Sequence, residues 1–448
     1  MQRLLKYITN IRALQFFQLF RSGILFLISI VLTKANPFTG SRLLTLGEIG
    51  NYELFILIAG SVSFFWINGM IQSMLSSYKN NTTFSDKEKN PVFFNITILF
   101  TILGILAAMM VFVFQGSISK ILDLSEGKIP YINILFLYII VSCPSNLIEY
   151  IYLLKNKPLR IIVYGIIVFT LQLFSITMPI LLGYGLKYGL YGLVCVNVIK
   201  FIWLYIIVFK YSEIKLSKLY IKEFIKLSSP LVLSLLIGGS AKYIDSFLVK
   251  YKFDEATLAI FMYGIKEIPF FALLTAAFGN AMTPKFSNPV YLKEPLLELK
   301  KGTTRLMHYL FPISFIVLLT SKFLFPLIFN ENFTDSASVF NIYVLLMIIH
   351  FLFVQSILVG FKETKIIFIG SIIELLINVT LSIIFINFWG IEGVAIATII
   401  SYIINKIFLI TYLKRKYKIK LSYYLNLKLY YFYVICLILC FSISCFIN

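Results

Sequence analysis

Charged side chains are scarce in this chain, 13% of 448 residues, and acidic ones scarcer still, 20 Asp and Glu against 40 Lys and Arg. A water-soluble domain needs a more polar skin, so a soluble fold is excluded. Histidine occurs only at His308 and His350, which are not a metal pair by spacing and read as packing residues. The five cysteines, Cys143, Cys195, Cys436, Cys440 and Cys445, all fall in apolar stretches without the short paired spacing of a zinc site. They read as small apolar core residues. No Walker motif, dinucleotide fingerprint or nucleophile elbow stands out, so neither a cofactor nor ATP-driven work within the chain is expected.

What the sequence has is apolar length: 59% hydrophobic residues and a mean hydropathy of +0.90. The first apolar stretch, Leu14 to Leu32, is long enough to span and lacks a following small-residue cleavage site, so it reads as a transmembrane helix and not a signal peptide. Thirteen runs of membrane-spanning length are expected, near 14–34, 50–76, 91–115, 129–154, 159–183, 188–209, 226–249, 256–282, 306–329, 337–360, 366–388, 392–413 and 429–447. Backbone polar groups in lipid must be satisfied internally, so these runs are helices. The expected fold class is an all-α polytopic membrane protein.

The net charge of +20 is not a nucleic-acid signature, because the basic residues sit in short connections between apolar runs. With a cytoplasmic N-terminus, 27 of the 40 fall on the inner side, eight on the outer side and five within spans. That bias sets the N-terminus inside and, with thirteen crossings, the C-terminus outside.

An internal repeat fits the two-halved construction of many transporters. Gly165 follows Lys157 by eight residues and Gly370 follows Lys362 by eight. The turn Tyr188-Gly189-Leu190-Tyr191-Gly192 matches Trp389-Gly390-Ile391-Glu392-Gly393, and Gln72-Ser73-Met74 matches Asn280-Ala281-Met282. Their common order predicts two six-helix halves, 1–209 and 226–413, joined by a cytoplasmic linker at 210–225 and followed by a basic loop and one more helix at 414–448.

The outer turn Leu46-Gly47-Glu48-Ile49-Gly50-Asn51-Tyr52 and the paired Gly-x-x-Gly turns at Gly189–Gly192 and Gly390–Gly393 resemble those of the polysaccharide (O-antigen, Wzx-type) flippases of the multidrug/oligosaccharidyl-lipid/polysaccharide exporter superfamily. The likeness covers residues 10–413 in span order and length. It implies two six-helix bundles forming a V around a central lumen. It also implies alternating access that flips a lipid-linked oligosaccharide, an undecaprenyl-pyrophosphate repeat unit, to the outer leaflet of a bacterial cytoplasmic membrane.

Charges inside the bilayer are the functional candidates, since each one at the centre costs on the order of 3 kcal/mol or more unless paired or wetted. The basic ones are Arg21, Lys200, Lys242, Lys266 and Lys406, the acidic ones Glu53, Glu149, Asp245, Glu267 and Glu374. Arg21 has no acidic residue before Glu48, and a guanidinium suits phosphate oxygens. Lys242 and Asp245, three apart on one helix face, are placed to pair with each other. Lys266 and Glu267 are adjacent and point apart. Lys200 and Lys406 end their respective halves, within reach of an interface. Arg21, Lys242, Lys266, Lys200 and Lys406 are thus candidate lumen groups for phosphate, with Gln18, Asn68, Gln72 and Gln172 for sugars. Asp245, Glu149, Glu267 and Glu374 are candidates to bind a coupling H⁺ or Na⁺ or to balance charge. The rival readings are a cation-coupled multidrug exporter of the same superfamily and a membrane-integral polysaccharide polymerase or acyltransferase. The first commonly carries an acid in its first span, where this chain has Arg21. The second needs a large outer loop or a His in a polar pocket.

Overall fold

A computed structural model describes residues 10–35, 42–80, 91–124, 127–266, 269–286 and 292–446. Described residues are overwhelmingly helical, with an isolated bridge between Ala35 and Arg42 as their extended pairing. The chain divides into two compact units, one of Met1–Gly239 with Asp254–Ala256, the other of Ser240–Phe253 with Thr257–Asn448.

The first unit holds α1 (Asn10–Thr33), α2 (Leu46–Ser61), α3 (Phe64–Asn80), α4 (Val92–Val113), α5 (Gln115–Ile121), α6 (Ile132–Ser145), α7 (Ile148–Leu154), α8 (Pro158–Leu181), α9 (Leu186–Tyr211) and the first part of α10 (Lys218–Lys252). Here α8 packs between α1 and α9, and α6 between α4 and α9. Between membrane helices such association rests on close van der Waals fit. Gly165 supplies it: a Cβ there would lie 2.7 Å from Cδ2 of Phe17, whose ring stacks on Tyr164 at 5.9 Å.

The segment expected as an outer turn at 46–52 is instead the start of α2. Thr45 and Glu48 form a reciprocal capping box, Glu48 N donating to Thr45 Oγ1 at 3.2 Å and Thr45 N to Glu48 Oε2 at 2.8 Å. This satisfies two backbone donors that a helix start otherwise leaves open. Likewise Tyr188–Gly192 lies inside α9, and the bend before it falls at Gly183 and Gly185, both at positive φ. The expected span 50–76 is two helices meeting at 46°, and 129–154 breaks after Pro144, whose ring displaces the carbonyl four residues back and supplies no N–H. That break opens the short helix α7, in whose first turn Glu149 sits.

The second unit holds the remainder of α10, α11 (Glu255–Gly264) from Thr257 on, α12 (Pro269–Met282), α13 (Lys293–Ile328), α14 (Thr334–Val344), α15 (Met347–His350), α16 (Val354–Gly360), α17 (Thr364–Tyr417), α18 (Leu421–Tyr424) and α19 (Leu427–Phe446). Runs 366–388 and 392–413 are two helices that meet within α17 at a non-helical kink, Trp389–Gly390, where Gly390 takes φ 56°, ψ −136°, a backbone region open essentially to glycine. With the two helices of α17 counted as one, ten helical stretches among the described residues are long and apolar enough to cross a membrane, eleven with the bent pair joined. The last helix, α19, packs on α13 and α14. Tyr433 stacks on Phe311 at 5.0 Å and its hydroxyl lies 2.8 Å from His308 Nδ1, and Tyr430 OH donates to Ile348 O at 3.0 Å.

Candidate functional site

In the first unit three of the expected ionisable residues come together. Arg21 is exposed on α1, Glu149 is buried at the start of α7, and Lys200 is half-buried on α9, its ammonium donating to Asn197 Oδ1 at 3.2 Å. Arg21 and Lys200 both act electrostatically on Glu149, and Arg21 on Lys200. Among the described residues none of the three forms an ion pair within 4 Å. Two cations share one carboxylate, so the group carries a surplus positive charge. Gln18 stands one turn before Arg21 and is exposed; Asn68 and Gln72, one turn apart on α3, are exposed too. The Asn68 amide donates to Phe64 O of its own helix at 2.8 Å. Gln172 is half-buried on α8.

In the second unit the expected Lys242–Asp245 pairing does not form. Lys242 is exposed, its ammonium 5.8 Å from the Tyr243 ring centroid, whereas Asp245 is buried, 1% exposed. The carboxyl is taken by three neutral donors from the two halves of α17. Thr398 Oγ1 donates to Oδ2 at 2.6 Å, Asn378 Nδ2 to Oδ2 at 3.3 Å and Ser382 Oγ to Oδ1 at 3.1 Å. Shared helix faces make a pairing available, but a fully desolvated carboxyl gains more from several short donors than from one flexible ammonium that can reach solvent. Asn378 Nδ2 also donates to Thr398 Oγ1 at 3.2 Å, while Asn378 Oδ1 is buried and has no partner.

One carboxylate and two hydroxyls thus meet here, with the Asn378 amide turned to them by its nitrogen. Oxygen ligands of this kind suit hard cations. No cluster of three His, Cys, Asp or Glu occurs among the described residues.

Farther along α17, Glu374 is buried and accepts from the Asn405 amide, with Lys406 in electrostatic reach. Gly370 makes room for this: a Cβ there would lie 2.5 Å from Asn405 Oδ1. Lys406 donates to Gln355 Oε1 at 3.4 Å and, with His350, Gln355 and Asn280, lines a cavity of about 620 Å³ within the second unit. Lys266 is half-buried, its ammonium 3.6 Å from the Tyr263 ring centroid. Glu267 lies outside the described residues.

Sequence reading missed Asn378, Ser382 and Thr398. The signal was there: Glu374, Asn378 and Ser382 recur every four residues through an apolar run, which is one helix face. His350, read as a packing residue, lines the cavity, with Nδ1 3.4 Å from Thr275 Oγ1.

Several solved structures share this fold. The lipid II flippase MurJ in an inward closed conformation superposes with a TM-score of 0.64 at 17% identity, over 96% of this chain and 97% of that one. A multidrug resistance MATE family transporter of the MOP superfamily, inward-facing, gives 0.60 at 16% identity, over 89% and 94%. A MOP superfamily transporter from Pyrococcus furiosus gives 0.56 at 14%, over 92% and 96%. No curated protein matches by sequence. The family model described as polysaccharide biosynthesis protein matches residues 41–338, more than half of the chain. With its membrane-spanning helices and this match, the chain is a multi-pass membrane protein that belongs to the polysaccharide biosynthesis protein family.

Proposed function

We propose that the protein flips a lipid-linked oligosaccharide, an undecaprenyl-pyrophosphate repeat unit of a lipopolysaccharide or capsule, from the inner to the outer leaflet of a bacterial cytoplasmic membrane. It works by alternating access and an ion gradient, with its N-terminus in the cytoplasm, and it is a carrier and not an enzyme. The observation that carries this reading is the surplus positive charge of Arg21 and Lys200 around the buried Glu149. A guanidinium and an ammonium on apolar, membrane-spanning helices suit the oxygens of a pyrophosphate. Family membership and the fold shared with a lipid II flippase support the same reading. Lys242 and Lys266 are further candidates for the phosphates, and Gln18, Asn68, Gln72 and Gln172 for sugar hydroxyls. Asp245, with its oxygen donors, takes the coupling Na⁺ or H⁺.

A cation-coupled multidrug exporter is the second reading, favoured by the fold shared with MATE transporters and by the buried acids Asp245 and Glu374. Purified protein in liposomes separates the two. Movement of a prenyl-pyrophosphate oligosaccharide to the far leaflet, lost in Arg21→Ala, supports the flippase. Movement of an organic cation with no movement of the lipid supports the exporter.

A further inference from the structure

We propose that the cavity of the second unit binds one acidic sugar, a pyranose bearing a single carboxylate or phosphate, with Lys406 on the acid and Gln355 and Asn280 on the ring hydroxyls. The proposal rests on the flippase reading and names a substrate feature that reading leaves open, the charge of a sugar in the repeat unit.

Asn280 of α12, His350 of α15, Gln355 of α16 and Lys406 of α17 each interrupt an apolar run, and the fold brings them to one cavity of about 620 Å³. That volume lies within the range of small-molecule sites, where a few convergent polar groups fix orientation. Polar side chains are expensive at membrane depth, so their convergence from separate helices needs a purpose beyond packing.

Lys406 is the basic residue of this wall apart from His350, and it is half-buried. Its ammonium has three donors. One goes to Gln355 Oε1 at 3.4 Å, and Glu374, in electrostatic reach, has its carboxylate engaged by the Asn405 amide. The remaining donors suit one anionic group, where a diphosphate calls for more than one cation. With its oxygen taken by Lys406, Gln355 presents its NH₂ as a hydrogen-bond donor, and the exposed Asn280 supplies both a donor and an acceptor. Alternating donors and acceptors match sugar hydroxyls.

Phe353 supplies the second line of argument. It has φ 24°, ψ 15°, a left-handed backbone for a bulky aromatic, at the break between α15 and α16. Its ring lines the cavity and meets Phe278 edge-on at 5.3 Å. Strained backbone persists only where surrounding structure enforces it, and such positions gather at ligand clamps. Here the break turns Phe353 and Gln355 to the same cavity, an apolar face beside an amide.

Binding is tested on the purified full-length protein in detergent by saturation-transfer NMR with three soluble probes: glucuronic acid, glucose 1-phosphate and glucose. At least one acidic probe is expected to bind about tenfold more tightly than glucose, and the carboxylate and phosphate probes tell which acid is preferred. Lys406→Gln is expected to erase that preference, Lys406→Arg to keep it, and Lys120→Gln, at an exposed lysine with no part in either candidate site, to leave it unchanged. Should Lys406→Gln fail to fold, the wild-type chain decides: the preferred acid, but not glucose, should protect Lys406 from acetylation as read by mass spectrometry. Equal binding of glucose and both acids, an unchanged preference in Lys406→Gln, or no protection of Lys406 overturns the proposal. A chain that binds the acid through Lys406 yet flips no lipid-linked glycan loses the flippase reading and keeps the cavity. A chain that flips but does not discriminate loses only the cavity.

Discussion

Thr398 donates its hydroxyl proton to Asp245 Oδ2 across 2.6 Å, with Val394 O as a competing acceptor at 3.1 Å. Two parts of the chain 153 residues apart are thereby joined at one buried carboxyl. The hydroxyl has a single proton to give. Under the proposed coupling at Asp245, a cation bound there would let the hydroxyl proton turn to Val394 O and the hydroxyl oxygen face the ion.

Asp245→Asn is expected to keep the fold, since the amide can still meet Thr398, Ser382 and Asn378, and to remove the charge a cation needs. Flipping driven by an imposed Na⁺ or H⁺ gradient should fall about tenfold or more, equivalent to ~1.4 kcal/mol, while exchange without a gradient persists. Thr398→Val leaves the carboxyl short of its closest donor and should lower stability by about 1–3 kcal/mol in denaturation of the detergent-solubilised protein. Gradient-driven flipping by Asp245→Asn at the wild-type rate would exclude this carboxyl from coupling.

Gly165→Ala puts a methyl 2.7 Å from the Phe17 ring. Overpacking of a tight core contact is expected to reduce stability by about 1–3 kcal/mol, and Phe17→Leu in the same chain should recover part of it. Thermal unfolding of the two single variants and the double variant measures the coupling between these positions.

Glu363, in the connection before α17, accepts from Lys416, from Tyr417 OH at 2.5 Å and from Tyr412 OH at 2.9 Å. The Lys416 hydrogen bond first, and the Tyr417 hydroxyl next, draw its carboxyl down from 4.5 to about 2. A depressed folded value contributes stability that is fully present above the unfolded value and lost as pH falls through the folded one. Glu363→Gln should therefore lower the melting temperature at pH 7, and its difference from wild type should shrink as pH is brought from 4.5 toward 2. A difference that stays constant over that window would mean that the carboxylate charge plays no part in holding the end of α17.

How far the sequence foretold the structure depends on range. Apolar runs of about 20 residues give the helices directly, because lipid leaves the backbone no alternative. Gly165 and Gly370, singled out by their spacing, are each a point of close approach, to Phe17 and to Asn405. Breaks were less visible. Run length does not register the bend after Ser61, which interrupts a helix without interrupting hydrophobicity, whereas the turn expected from Trp389 onward does fall at a kink, Trp389–Gly390. The pairing of Asp245 illustrates a different limit. Spacing of three offered Lys242, but Asn378, Ser382 and Thr398, more than 130 residues away, hold the carboxyl instead. A search confined to charged residues passes over such neutral partners.

The most direct test of the account places wild-type protein and Arg21→Ala side by side in liposomes loaded with a fluorescent prenyl-pyrophosphate oligosaccharide, and follows its arrival in the far leaflet by quenching from outside. Wild type should deliver the lipid, and Arg21→Ala should deliver it about tenfold or more slowly, corresponding to ~1.4 kcal/mol of lost phosphate recognition. Equal delivery by the two proteins, or by wild type and empty liposomes, would contradict the account.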